Sequence, residues 1–147
     1  MGCILFFAGC PLIWKSQLIQ EICLSATQSE CHSLSIAIRA LMPVFYTLRE
    51  MVRELGLPEE IQATVQCRCL EDNSACLQLM TEQRLTQRTR YYNSKFHWAW
   101  THIGKNSESG LNLIIEKIDT KLQRADGFTK GNVREVFERL RKLTCGW

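Results

Sequence analysis

Three carboxylates stand where one kind of segment gives way to another: Glu30 in TQSECHS, Asp72 in CLEDNSA and Asp126 in QRADGFTK. Acids brought from separate elements onto one spot repel each other unless a cation neutralises them, and hard divalent ions such as Mg²⁺ take carboxylate oxygens. Two such ions together clamp the attacking water and the leaving oxygen in phosphodiester cleavage. Each acid also has a plainer role. Glu30 completes the pattern [ST]-x-x-E begun at Thr27 and suits a capping box. Asp72 precedes a helix, so it suits an N-cap, or else a ligand at the carboxyl end of a strand. Asp126, beside Gly127, suits a solvated turn. Taken singly the plainer roles lead; taken together the three acids form a candidate site.

The elements that must position them follow from apolar spacing. Residues 3–8 and Leu12 to Trp14 read as two strands of a hairpin turning at Gly9-Cys10-Pro11. Leu34, Ile38, Leu41, Phe45, Leu48, Val52 and Leu55 alternate steps of four and three, one helical stripe, which Pro43 is expected to kink or split. The helix stops at Gly56, two residues before Pro58. Residues 63–69 place Ala63, Val65, Cys67 and Cys69 on one face of a strand. A second helix begins at Asn73, and the aromatic stretch from Tyr91 to Trp100 supplies a third. After a loop from Gly104 to Gly110, Leu113 to Ile118 gives another strand, and Val133, Val136, Phe137, Leu140 and Leu143 a closing amphipathic helix. This order predicts an α/β layer protein with a mixed sheet.

At 147 residues the chain suits one domain, and 46% hydrophobic with 22% charged residues is the composition of an ordinary globular protein and argues against disorder. A net charge of +3 permits contact with nucleic acid without demanding it. Trp98 and Trp100 near Arg88, Arg90 and Lys95 suit base stacking or, more simply, core packing. The eight cysteines include no C-x-x-C pair, which argues against zinc. No Lys or Arg precedes the first apolar run, and Gly9 and Pro11 interrupt it. A signal peptide and a membrane span are therefore not expected, and Phe6 stands where myristoylation wants Ser or Thr. An intracellular protein with reduced thiols is the expectation.

The same residues resemble the end of copia-type retrotransposon polyproteins. WKSQLIQEICLSATQSECHSLSIAIRAL is similar to that family's W-x-S-K-x-Q-x-x-x-A-L-S-T-T-E-A-E-Y, LEDNSACLQL to its C-x-E/C-D-N-x-x-A, and IEKIDTKLQRADGFTK to its V-x-T-x-x-Q-x-A-D-x-F-T-K. The three matches fall in the family's order across almost the whole chain. The resemblance implies an RNase H domain that uses two Mg²⁺ (or Mn²⁺) ions to hydrolyse the RNA strand of an RNA–DNA hybrid, with Glu30, Asp72 and Asp126 as metal-binding catalytic acids. It also implies an RNase H-like mixed sheet with flanking helices. The family's fourth acid lies on a first, central strand that has no counterpart here, so residues 1–147 are expected to form a single incomplete domain. Gln28, Cys31 and Gly131 replace the family's Glu, Tyr and Pro, and TRYYNS from Thr89 to Ser94 replaces T-K-H-I. The expectation is a chain inactive by itself, with no membrane partner, that self-associates through open sheet edges; the alternative is a noncatalytic module that binds nucleic acid or protein.

Overall fold

The structure, a computed structural model, describes residues 1–62, 66–84, 87, 89 and 94–147. Strands β1 (Gly2–Phe7) and β2 (Cys10–Ser16) form an antiparallel hairpin in which Ile4 faces Trp14. Its turn is Ala8-Gly9, both at positive φ (48° and 80°), which suits the twist of a two-residue hairpin loop. The turn falls one residue earlier than the sequence suggests. Pro11 is accommodated inside β2 opposite Phe6, where the register slips between Leu5 and Phe6.

Helix α1 runs unbroken from Ala26 to Glu54, so Pro43 does not split it. The proline removes one N–H and crowds the carbonyl four residues back, that of Arg39. Both residues lie on the exposed face, where water reaches that carbonyl, while Ile38 and Phe45 on the opposite face are buried. Only the first half of the predicted stripe is fully used: Leu34, Ile38 and Phe45 are buried, but Leu55 stands in solvent. Unbroken, α1 is also long and apolar enough by composition to cross a membrane, which the sequence reading did not expect. Here its apolar residues pack on helices α3 (Ser74–Glu82) and α4 (Ser94–Trp100).

A short helix α2 (Glu59–Gln62) leads out of α1. Strand β3 (Arg68–Glu71) pairs in parallel with β4 (Ile114–Lys117), so that Cys69 faces Ile115 and Glu71 faces Lys117. The sequence placed this strand at 63–69; residues 63–65 lie outside the described residues, as do 91–93 of the predicted third helix. A 3₁₀ turn at Arg124–Phe128 and helix α5 (Arg134–Cys145) close the chain.

The mixed α/β class holds, but the single mixed sheet does not. Among the described residues the strands form two separate pairs, β1 with β2 and β3 with β4. One core joins Cys31, Leu34, Ile38 and Phe45 of α1 to Cys76, Leu79 and Met80 of α3, Phe96 and Ala99 of α4, and Ile103, Leu111, Leu113 and Ile115 beside and within β4.

Candidate acidic site

Glu30 lies in the second turn of α1, and it does not cap the helix. The extended backbone of Ser25 (φ −153°) lets its Oγ accept from the Gln28 N–H at 3.1 Å, and Gln28 Oε1 accepts from the Leu24 N–H at 2.9 Å. The expected box on Thr27 and Glu30 is therefore replaced by one starting two residues earlier. Glu30 is left to face inward, half-buried.

Asp72 follows β3 directly, and its expected N-cap role falls to its neighbour. Asn73 Oδ1 accepts from the Ala75 and Cys76 N–H groups, each at 3.0 Å. The backbone of Asp72 is held instead: Lys117 Nζ, from the end of β4, donates to the Asp72 carbonyl and, at 2.7 Å, to Ser74 Oγ. Asp126 sits in the 3₁₀ turn, whose backbone it closes by accepting from the Thr129 and Lys130 N–H groups. Its side chain is only 19% exposed, so it is not the solvated turn residue of the plainer reading, and Lys130 Nζ donates to its Oδ2 at 2.7 Å. Gln123 Nε2 donates to the Leu70 carbonyl at 3.2 Å and so ties the segment leading to Asp126 onto β3.

The three acids share an electrostatic neighbourhood. Burial, then the charges of Asp72 and Asp126, push the Glu30 carboxyl above the ordinary carboxylate range, against the pull of Lys130 and the N-terminal ammonium. Lys130 is held more firmly protonated, first by its bond to Asp126 and then by the surrounding acids. A fourth carboxylate, Glu71, belongs to the same group. It is 6% exposed, and burial pushes it up to about 7 although its Oε1 accepts from the Asn73 N–H at 2.9 Å; Glu30 and Asp72 raise it further. The sequence reading passed over Glu71, yet the signal was there, because it continues the alternate face of Cys67 and Cys69. Gln123 and Lys130 were also missed, since their roles depend on partners far away in sequence.

An all-oxygen donor set suits a hard ion. The arrangement does not fit one: among the described residues no three His, Cys, Asp or Glu side chains are placed to hold a metal together, and Asp126 is turned to Lys130. Beside Asp126 a cleft of about 180 Å³ between a further 3₁₀ turn at Thr120–Leu122, the Arg124–Phe128 turn and α5 is also lined by Lys121, Asn132 and Arg139. Trp98 and Trp100 pack against the core cluster, and the Arg39 guanidinium lies over the Trp98 ring. Arg88 and Arg90, expected beside them, lie outside the described residues.

The fold and site thus describe an α/β protein with acids from three elements drawn toward one region. Over 142 residues the chain is 27% identical to the retrovirus-related Pol polyprotein from transposon TNT 1-94 of Nicotiana tabacum. That alignment takes in 97% of this chain and 10% of the polyprotein, so the chain spans about a tenth of this relative's length. The similarity supports kinship with a retrotransposon polyprotein. No family model and no solved structure matches.

Proposed function

We propose that the chain corresponds to the RNase H-type segment of a retrotransposon polyprotein, with Glu30, Asp72 and Asp126 as its site carboxylates, and that the isolated chain binds an RNA–DNA hybrid without cleaving it. The observation that carries this reading is the shared neighbourhood of the acids: Glu30 of α1 is raised by burial and then by the charges of Asp72 and Asp126, which come from two other parts of the fold, while Ser25, Gln28 and Asn73 do the capping that would have explained two of the three. The similarity to a Pol polyprotein over nearly the whole chain points the same way. The ion pair of Asp126 with Lys130 supports the inactive reading, because two-metal hydrolysis needs carboxylates free to converge on the ions. Lys121 and Arg139, lining the cleft beside Asp126, are suited to phosphate contacts of the kind that make binding salt-dependent.

The test is a labelled RNA–DNA hybrid in Mg²⁺ and in Mn²⁺. Binding that weakens with salt and with Lys121→Ala plus Arg139→Ala, with no cleavage above buffer, is expected. Absence of binding overturns the assignment; cleavage that stops on Asp72→Asn overturns the inactivity.

A further inference from the structure

Two cysteines meet in the core. Cys31, one residue after Glu30 in α1, and Cys76, in the first turn of α3, are both wholly buried, and their sulfurs lie 3.4 Å apart in an S–H···S contact. We propose that Cys31 and Cys76 are an oxidation-dependent crosslink site joining α1 to α3.

The geometry is close to what a disulfide needs. With the sulfurs of a disulfide about 2.05 Å apart, each must close by roughly 0.7 Å, a distance within reach of small side-chain rotations. The oxidant is hydrogen peroxide, a small neutral molecule suited to a pair of wholly buried thiols. One thiolate attacks the peroxide O–O bond, forming a sulfenic acid and releasing hydroxide, which takes a proton to become water. The second sulfur then attacks the sulfenic sulfur, forming the S–S bond and expelling a second water. Two thiols and one peroxide thus give one disulfide and two waters, the sulfurs being oxidised and the peroxide oxygens reduced. The sulfur–sulfur hydrogen bond, and then burial, hold Cys76 protonated. Oxidation is therefore slower than at the exposed Cys10 and Cys145. Once formed, the bond is shielded from reductants by the same burial. It would lock the element carrying Glu30 to the helix that starts just after Asp72, and it stands whether or not the chain binds a hybrid.

The experiment treats the folded chain with hydrogen peroxide at pH 8, alkylates the remaining thiols, and maps the peptides by mass spectrometry. A Cys31–Cys76 peptide pair two hydrogens lighter than the sum of its parts is expected. The link closes a span of 45 residues, so the thermal midpoint should rise by about 10 °C. Dithiothreitol should reverse both. Cys31→Ala and Cys76→Ala should each abolish the linkage and the shift, whereas the double change Cys10→Ala with Cys145→Ala should keep them. The peptide map of the unsubstituted chain decides the matter even if an alanine variant loses its fold. Exposed cysteines oxidised while Cys31 and Cys76 stay thiols, or either one joined to a different cysteine, overturns the proposal.

Discussion

The molecule has two halves that hold together differently. In one, α1, α3, α4 and the β3–β4 pair surround a shared core in which Ile38, Met80, Phe96, Leu111 and Leu113 are almost entirely removed from water. In the other, the β1–β2 hairpin, the Arg124–Phe128 turn and α5 lean on one another, and Phe7, Leu12, Trp14, Val133 and Phe137 remain exposed. Of α5, only Leu140 is buried, although the sequence offered five apolar positions for that helix. Glu30, Glu71 and Asp72 belong to the first half and Asp126 to the second. The joint between the halves therefore decides whether the acids converge. Across that joint β1 packs on α1 and Gln123 Nε2 donates to the Leu70 carbonyl at 3.2 Å, while within the second half Ser16 Oγ donates to the Phe128 carbonyl at 2.6 Å.

Matched truncations give the largest contrast. Phe96→Ala should cost about 3–5 kcal/mol, as expected for a large aromatic removed from a packed core, because Phe96 is 1% exposed. Phe137→Ala should cost within about 0.5 kcal/mol, because Phe137 is 51% exposed. Urea unfolding measures both, and similar losses at the two positions would erase the distinction between the halves.

A buried acid in the packed half gives the next effect, through pH. The folded pKa of Glu71, about 7, lies above its ordinary 4.5, so between those values the folded chain keeps a proton that the unfolded chain releases. Its contribution to stability is therefore present at low pH and is lost as pH rises from 4.5 to 7. Glu71→Gln keeps an acceptor for the Asn73 N–H and should stabilise the chain by about 3 kcal/mol at pH 8 and by almost nothing near pH 4. Unfolding curves for both proteins at the two pH values check it, and a gap that does not change with pH would count against a buried Glu71.

Helix starts give the smallest and most local comparison. Ser25→Ala should cost about 1 kcal/mol and Thr27→Ala less than half of that, since Ser25 makes the cap. In the other half, α5 begins at Val133, whose extended backbone suits a cap but whose side chain cannot bond. Val133→Ser should stabilise by about 0.5–1 kcal/mol. Equal losses at Ser25 and Thr27 would return Glu30 to a capping role.

What the sequence determined by itself was local. The hairpin, the α1 stripe, the helix after Asp72 and the closing helix are all legible because apolar spacing and turn residues act over a few positions. The three acids were legible for the same reason, each standing at a junction between elements. The tertiary structure decided what depends on distant neighbours. Pro43 is tolerated because water reaches the exposed face of α1 while the core holds the other, and among the described residues the four strands fall into two pairs instead of one sheet. Glu71 is raised by burial beneath elements far from it in sequence, and Gln123 reaches the Leu70 carbonyl across 53 positions. Burial, dielectric and the reach of a long side chain are properties of the packed whole, and no window of adjacent residues contains them.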